Sequence, residues 1–382
     1  MERDLGNLRK RLDDIDGVIV AALAERAHLA RDIASVKAEG DAPVRDADRE
    51  TALLQHRASV GARLGLEPAF VRRLFRAILE DSRRRQHDVL QAAADPDVRE
   101  LVVAYQGTDG AYGHQAACAY FGGAARPVAL KAYVSFRQML DALQAGDADR
   151  AVLPIENTTA GSVIEAYDLL LRLNLAIVGE EILEIRHCLV GVADVPLATL
   201  RRVHSHPHAL AQCSEFLGTL VGCEAESAAN TALAAEHVKA LGDPTEAAIA
   251  SEDAAAHFDL RVLRRDIANQ PVNYTRFLIV AAEAIACDPR IAAKVSVLFG
   301  TRHAHGALAT CLTVLAEEGL NLTKLESRPR PGRPWEYVFY VDVDGHLDEP
   351  RVQAALARLA AVTLFVKVLG CYPARDLPGR VA

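Results

Sequence analysis

The chain has 382 residues, of which 51% are hydrophobic and 25% are charged, an ordinary balance for a globular protein. At about 100–200 residues per domain, this length predicts two to four domains. Its 43 basic and 51 acidic residues give a net charge of −8, which argues against nucleic acid as the main partner. No stretch approaches the roughly 18 uncharged apolar residues of a membrane span, and the N-terminal segment lacks a signal-peptide core. The seven Cys residues form no CxxC motif, so we expect reduced thiols in a cytoplasmic chain.

The first block, residues 1–92, has an almost purely helical pattern. Apolar side chains recur in steps of three and four, which predicts a helix over about residues 4–38. At 1.5 Å per residue this helix would be roughly 50 Å long, too long for a compact monomer of this block's size. We therefore expect it to pair with a second chain or to lie in a bundle. Further helices are predicted over 46–62 and from Pro68 to about residue 91.

Polar side chains interrupt the apolar faces of these helices or stand at a helix start: Arg9, Arg26, Lys37, Asp46, Arg49, Glu50, Ser82 and Gln86. At 100° per residue, Arg26 and Lys37 fall inside the apolar stripe of the first helix. Buried cations are costly unless they meet an anion, so the pattern indicates a pocket for an anionic ligand inside a helical bundle. The alternative is that these side chains extend to the surface or pair with neighbouring carboxylates.

This block resembles the all-helical chorismate mutase domain over its whole length. The resemblance lies in LRKRLDDID (8–16), LAERAHLA (23–30), PVRDADRE (43–50) and LFRAILEDSRRRQ (74–86). Such enzymes rearrange chorismate, a dianion, to prephenate without a covalent step or a cofactor. Their task is to position the substrate and to stabilise charge on the breaking ether bond.

The resemblance implies a role for each polar residue of the block. Arg26 and the partner chain's own copy of Arg9 would bind the two carboxylates, with Arg49 in support. Lys37 and Gln86 would donate hydrogen bonds to the ether oxygen. Glu50 would bind the ring hydroxyl, and Asp46 and Ser82 would provide polar support nearby.

A linker at residues 93–100 separates this block from a second one, where short β-rich runs alternate with helical stretches. This alternation is typical of α/β architecture. Strands are predicted over 101–105, 151–155, 175–179, 247–251 and 275–280, and helices over 136–145, 163–173, 208–220 and 231–241. The last block, from residue 291, has the order strand, helix, strand, strand, helix, strand. That order is the ferredoxin-like βαββαβ pattern of an α+β domain.

Two polar clusters of the middle block have alternative explanations. GTDGAYG (107–113) could bind a phosphate through its backbone N–H groups, but no Lys-Ser/Thr follows it, so a tight turn is the better interpretation. The His residues of HSHPHALAQC (204–213) lack a Cys or carboxylate at ligand spacing. Helix capping by Ser205 and His206 is therefore preferred to a metal site, and no metal or cofactor is predicted.

The middle block resembles prephenate dehydratase over about residues 100–285. PIENTTAG (154–161), SHPHALAQC, ESAANTALAA (226–235) and NYTRF carry the resemblance. It implies an α/β domain of two lobes, as in periplasmic binding proteins, with the active site in the cleft. The reaction removes the ring hydroxyl and carbon dioxide from prephenate and yields phenylpyruvate.

By this resemblance, Thr275 would donate a hydrogen bond to the departing hydroxyl. Glu156, Asn157 and Gln212 would orient the substrate and the proton network, and Arg276 would help to structure the site. The sequence leaves open which carboxyl supplies the proton. The Gly107–Gly113 loop lacks two hydroxyls of the family pattern, so backbone N–H groups would replace them, and the family's SHPQ is SHPH here.

The last block resembles the ACT-type regulatory domain, through GALATCL (306–312) and LESRP (325–329). In such domains phenylalanine binds at a dimer interface and inhibits the dehydratase. A helix start would favour its carboxylate, and an acidic strand residue its ammonium. For an isolated motif, a surface ion pair between Glu326 and Arg328 would be the simpler interpretation. The residues assigned to the ligand are Gly306, Ala307, Leu308, Glu326, Ser327, Arg328 and Pro329.

The order of the blocks indicates a bifunctional enzyme of phenylalanine biosynthesis, because the product of the first would be the substrate of the second. The predicted domains are 1–92, chorismate mutase; 99–286, prephenate dehydratase; and 291–375, ACT domain. The expected partners are chorismate, prephenate, L-phenylalanine and a second copy of the chain, or a larger oligomer. The alternative is a chorismate mutase whose dehydratase domain has decayed, or prefers arogenate, and serves as an amino-acid-responsive module.

Overall fold

A computed structural model describes residues 5–38, 47–94, 100–124, 126–289, 291–333 and 335–375. Contacts divide the chain into two compact units. The first contains the helical block, and the second contains the two blocks built from strands and helices. Across the described ranges, no helix combines the length and apolar character needed to cross a bilayer.

The helical block consists of α1 (Leu5–Ala38), α2 (Ala47–Arg63) and α3 (Pro68–Ala94), which confirms the helices predicted from periodicity. Helix α3 packs against both α1 and α2. The packing uses small side chains, since Ala30, Ala34 and Ala58 are buried. A Cβ atom on Gly61 would lie 2.6 Å from Val71 Cγ2, so this glycine is what allows α2 and α3 to approach so closely.

The large apolar side chains of α1 are exposed in the part of the chain that the structure describes. They are Leu5, Leu8, Leu12, Ile15, Val18, Ile19, Val20, Leu23, Leu29, Ile33 and Val36. A contiguous exposed apolar surface of this kind usually marks an interaction site.

The middle block begins the second unit and has α/β architecture. Its elements are β1 (Leu101–Gln106), α4 (Tyr112–Phe121), β2 (Val128–Tyr133), α5 (Phe136–Ala145), β3 (Arg150–Asn157), β4 (Gly161–Ser162), α6 (Ile164–Arg172), β5 (Ala176–Glu184), β6 (Cys188–Gly191), β7 (Arg202–Ser205), α7 (Pro207–Gln212), α8 (Ser214–Leu217), β8 (Glu224–Ser227), α9 (Thr231–Leu241), β9 (Glu246–Ala250), α10 (Glu252–His257), β10 (Arg261–Arg264) and β11 (Tyr274–Ala281). One sheet has the order β2-β1-β3-β11-β5, with β4 paired to β3, and the other has the order β10-β6-β9-β7-β8. Strand β11 is antiparallel to both β3 and β5 and returns the chain to the first sheet.

One predicted helix is wrong in the structure. Residues 208–220 were expected to be a single helix, but α7 and α8 are separated at Cys213, whose backbone leaves the helical region at φ −114° and ψ 16°. Asn269 occupies the break. Its backbone N–H donates to Gln212 O at 2.7 Å, and its side-chain Oδ1 accepts from Glu215 N at 3.1 Å. The structure also adds β2, β4, β6, β7, β8 and β10 to the predicted strands.

The last block follows the predicted order of elements: β12 (Ala293–Gly300), α11 (Ala307–Glu317), β13 (Leu322–Pro329), β14 (Tyr337–Asp344), α12 (Pro350–Val362) and β15 (Phe365–Pro373). Its strands form an antiparallel sheet in the order β13-β14-β12-β15.

This sheet packs directly on the middle block. Strand β15 contacts β5 so closely that a Cβ atom on Gly370 would lie 1.9 Å from Ile177 O. One hydrophobic core contains Ile155 and Leu278 from the first sheet together with Tyr340 and Leu369 from the last block. The two blocks are therefore joined by a shared interior as well as by the chain.

Candidate active sites and ligand site

In the helical block, two of the predicted polar residues, Arg26 and Ser82, meet between α1 and α3. Arg26 Nη1 donates to Ser82 Oγ and to Ile78 O, the latter at 3.3 Å, and Ser82 Oγ donates to Ile78 O at 2.9 Å. Gln86, 9% exposed, lies one turn further along α3, and its Oε1 has no hydrogen-bond partner in the part of the chain that is described. Burial lowers the pKa of Arg26, and an anionic ligand would offset that cost.

Arg9, Arg49 and Glu50 lie at other positions on α1 and α2. Arg9 is exposed on α1, 17 residues before Arg26, which corresponds to roughly 25 Å along a helix. One copy of α1 therefore cannot bring both guanidinium groups to one small ligand. The other positions are Arg49, exposed on α2; Glu50, which pairs with Arg83 at 3.5 Å; Lys37, near the end of α1; and Asp46, which lies outside the described residues.

In the middle block, the ends of β3 and β11 form the centre of a polar network. Thr275 and Asn157 are partners in register on these antiparallel strands. Asn157 Nδ2 donates to Thr275 Oγ1 at 2.9 Å and to Asn273 Oδ1 at 2.7 Å. Because Thr275 Oγ1 accepts from Asn157, its own proton remains available to a ligand.

The network continues to the second sheet's side of the block. Asn157 Oδ1 accepts from Thr159 Oγ1 at 2.7 Å, and Gln212 Nε2 donates to Thr159 Oγ1 and, at 3.4 Å, to Asn157 Oδ1. Gln212 Oε1 lies 2.8 Å from His187 Nε2, and His187 Nδ1 lies 3.0 Å from the Tyr112 hydroxyl. Burial lowers the pKa of His187, which favours a neutral ring that donates to Gln212. The Tyr112 hydroxyl also donates to Arg186 O at 3.1 Å.

Several members of this network were not among the predicted site residues. Tyr112, Thr159 and Asn273 stand inside the motifs GTDGAYG, PIENTTAG and NYTRF, so the motifs carried a signal for them. His187 stands in no motif, and only the fold brings it to Gln212.

The structure places two predicted residues, Glu156 and Arg276, away from this network. They are partners in register, and because side chains alternate along a strand they face the side opposite Asn157 and Thr275. Glu156 Oε1 lies 2.7 Å from Lys324 Nζ of β13. A substrate-orienting role for Glu156 finds no support in this placement.

Arg276 is held in a buried cluster between the middle and last blocks. Its Nε lies 2.7 Å from Glu180 Oε2, and its Nη1 lies 2.6 Å from Asp342 Oδ2. Its Nη2 donates to the Tyr372 hydroxyl at 3.0 Å. Burial alone would lower the pKa of Arg276, but Asp342, Tyr372 and Glu180 raise it well above its ordinary value. The arginine is therefore a permanent cation that joins three elements.

The Gly107–Gly113 loop is the tight turn that the sequence favoured. Gly107 and Gly110 have positive φ angles of 110° and 81°, and Ala111 N donates to Thr108 O at 3.0 Å. Gly110 N donates to His114 Nδ1 at 3.2 Å. Backbone N–H groups at 110 and 111 are thus used within the loop. Thr108 Oγ1 is buried and has no partner among the described residues.

The His cluster has structural partners. His204 is buried and its Nε2 lies 2.6 Å from Glu246 Oε2. His206 caps α7 by accepting from His208 N at 3.2 Å, whereas Ser205 donates to Ile249 O instead of capping. The capping interpretation therefore holds for His206 and is wrong for Ser205.

The residues predicted to bind an amino acid divide into two groups. Gly306, with φ 71°, caps α11, and Ala307 and Leu308 line a surface hollow. The other lining residues are Thr301, Arg302, His303, Ala304, Trp335, Glu336 and Tyr337.

The residues of the LESRP motif do not line this hollow. Glu326 Oε2 accepts from Ser162 Oγ, and Arg328 holds Asp168 through two hydrogen bonds of 3.1 and 3.0 Å. The alternative of a Glu326–Arg328 surface ion pair is wrong, because Arg328 pairs with the middle block. Ser327 and Pro329 are exposed on the other side of β13.

Family models match all three blocks in order. Chorismate mutase type II matches residues 8–87, prephenate dehydratase matches 103–285, and the ACT domain matches 295–361. The bifunctional chorismate mutase/prephenate dehydratases of Enterobacter agglomerans and Escherichia coli K12 are 38% and 37% identical, each over 98% of both chains. A crystal structure of prephenate dehydratase in complex with L-Phe from Arthrobacter aurescens is 30% identical with a TM-score of 0.66, and the match covers 74% of this chain and 93% of that one.

Proposed function

Since this chain belongs to the bifunctional chorismate mutase/prephenate dehydratase family, we propose how its residues perform the two reactions. The enzyme rearranges chorismate to prephenate, then dehydrates and decarboxylates prephenate to phenylpyruvate, and L-phenylalanine inhibits it at the ACT domain. The relatives that match over nearly the full chain are named for this pair of activities rather than for a decayed or arogenate-preferring module. We place the domain limits at residues 1–92, 99–286 and 291–375.

The single observation that carries the dehydratase proposal is the network around Thr275. Loss of the ring hydroxyl needs a hydrogen-bond donor at the departing oxygen, and the Thr275 proton is free for that contact because its oxygen accepts from Asn157. Thr159 and Gln212 fix the orientation of the Asn157 amide. Carbon dioxide then leaves as the ring becomes aromatic, which supplies the driving force.

In the mutase domain, Arg26 binds one substrate carboxylate and Ser82 orients its guanidinium. The amide of Gln86 donates to the ether oxygen, where negative charge develops in the transition state. Arg9 of a second copy supplies the other carboxylate contact, since the same chain's Arg9 lies too far along α1. The exposed apolar side chains of α1 support this homodimer, because a second copy of the helix would cover them.

For feedback, we place the phenylalanine carboxylate at the start of α11 of one copy, where Gly306 allows close approach, and its ammonium at Glu326 of a second copy, because the two groups of residues lie apart within one chain. The Arthrobacter aurescens relative in complex with L-Phe supports an amino acid as the ligand. Glu326 already accepts a hydrogen bond from Ser162 of the middle block, so the ligand and the dehydratase domain share this carboxylate.

The experiment is product analysis of the purified chain given chorismate or prephenate, with and without phenylalanine. We expect prephenate and phenylpyruvate from chorismate, phenylpyruvate from prephenate, and less phenylpyruvate when phenylalanine is added. Conversion of chorismate without any phenylpyruvate would refute the dehydratase assignment. Phenylpyruvate formation that ignores phenylalanine would refute the feedback site alone.

A further inference from the structure

Residues 156–162, here called the 156–162 hairpin, join the end of β3 to β4 and have two faces. The front face carries Asn157 and Thr159, which belong to the network around Thr275. The back face carries Glu156 and Ser162, which are partners across the hairpin. One short segment therefore touches the reaction site with one side and the last block with the other.

Two residues of β13 hold the back face. Lys324 Nζ lies 2.7 Å from Glu156 Oε1 and 3.4 Å from Ser162 Oγ, and Ser162 Oγ donates to Glu326 Oε2. Lys324 and Glu326 are themselves 3.5 Å apart, and their side chains are 13% and 23% exposed. Partial burial makes these charged contacts stronger than a surface ion pair.

A backbone displacement caused by contacts on one face of a strand also moves the side chains on its opposite face. Glu156 and Asn157 are consecutive, so a shift of the Glu156 backbone moves the Asn157 amide by a similar amount. Catalysis is sensitive to displacements of about 1 Å in the groups that orient a substrate. The position of the hairpin therefore sets how well Asn157 and Thr159 align with Thr275.

We propose that Lys324 and Glu326 are positioning residues for dehydration, and that an amino-acid ligand inhibits the enzyme by withdrawing Glu326 from the 156–162 hairpin. The inference rests on the proposed function in one respect, that the ligand's ammonium binds Glu326. An ammonium group at this carboxylate competes with Ser162 and Lys324, so the ligand and the aligned hairpin oppose each other. A ligand can shift an equilibrium only through contacts that differ between the two states, and Glu326 is such a contact.

The neighbouring cluster around Arg276 serves as a fixed anchor instead. Glu180 is fully buried there and bonds to both Arg276 and Lys294, with each ion pair at 2.7 Å. Arg276, Glu180 and Lys294 belong neither to β13 nor to the start of α11, where the ligand would bind. The hairpin contacts of Lys324 and Glu326 are the ones that a ligand at Glu326 reaches directly.

Ser162→Ala gives the sharper test, because it removes the group that competes with the ligand and leaves Glu326 intact. We expect phenylalanine to bind about fivefold more tightly, by calorimetry, and the basal dehydratase kcat to fall. A merely structural role for Ser162 would weaken binding or leave it unchanged, and either result would overturn the proposal. Thr219→Ala, an exposed hydroxyl that bonds to Phe216 O, is the matched control.

Lys324→Met tests the positioning role without any ligand. We expect dehydratase kcat to fall about fivefold or more with little change in KM, mutase activity to persist, and added phenylalanine to inhibit less. Lys239→Met breaks a comparable but exposed pair with Asp259 and should change none of these values. A wild-type kcat in Lys324→Met would overturn the proposal. Failure of the unsubstituted enzyme to bind phenylalanine would refute the feedback site, while the ligand-free kcat would still decide the positioning role.

Discussion

The helical block and the middle block assemble their polar residues in different ways. In the helical block, Arg9 and Arg26 lie roughly 25 Å apart along one helix, whereas Arg26 of α1 and Ser82 of α3 are in contact. In the middle block, strand ends bring residues from distant parts of the sequence into one continuous set of hydrogen bonds. A long helix spreads its side chains along a line, whereas a sheet gathers the ends of its strands at an edge.

The difference extends to apolar surface. Large apolar side chains of α1 are exposed along nearly its whole length, while the strands of the middle block bury theirs within the chain. From this contrast we expect the dehydratase site to be complete in one chain and the mutase site to require two.

The largest effect should come from Thr275→Ala. Removal of the hydroxyl should lower dehydratase kcat by about 10²–10³-fold, the range for a lost hydrogen-bond donor to developing charge, and leave mutase activity unchanged. Separate assays with prephenate and chorismate measure the two activities. If both fell together, the two sites would not be independent.

Arg26→Ala should have the reverse effect. Loss of a hydrogen bond to a charged group costs about 1.5–3 kcal/mol, so mutase kcat/KM should fall by roughly ten- to a hundredfold while phenylpyruvate formation from prephenate persists. Arg76→Ala, at an exposed position of α3, is the matched control. Equal losses of mutase kcat/KM in both variants would show that Arg26 does not bind the substrate.

Dilution should lower mutase turnover more than dehydratase turnover, and the effect should be smaller than that of the two substitutions. If α1 completes the mutase site in a second copy, mutase turnover per chain should fall once the protein is diluted below the dissociation constant of the dimer. Basal dehydratase turnover per chain should fall less. Mutase turnover that stays constant down to concentrations where sedimentation shows monomers would contradict the shared site.

The smallest effect concerns Cys371, which lies beside Cys287 and Leu347 of its own unit. A hydrogen bond from the Cys287 thiol lowers the pKa of Cys371 to about 7, with burial opposing and Leu347 N–H assisting. Because the thiolate is the reactive form, alkylation of Cys371 should rise with pH and reach half its maximum near pH 7. Burial raises the pKa of Cys118, so that thiol should lag. Mass spectrometry of both sites at two protein concentrations should give the same profiles.

The sequence predicts most of the fold because its helices and strands follow local periodicity. Helices α1 to α3 begin and end within a few residues of the expected positions, since apolar spacing and Pro68 are local signals. The break at Cys213 depends on Asn269, which is 56 residues away in the chain and leaves no mark on the local pattern.

The candidate site shows the same limit. Motifs point to Thr275, Asn157 and Gln212, which the structure brings together, but nothing local points to His187. Glu156 stands next to Asn157 in one motif, and Arg276 stands next to Thr275 in another. The alternation of side chains along a strand predicts that residues 156 and 157 face opposite sides.

The close approach at Gly370 bears on how this chain can change over generations or be rebuilt by engineers. Any side chain there would enter the space of the Ile177 carbonyl, and the core that contains Leu278 and Leu369 belongs to both partners at once. An ACT domain from another enzyme, fused after residue 287, would not match the surface of the first sheet on which β15 packs. We therefore expect the last block and the middle block to change together, with substitutions in one compensated by substitutions in the other.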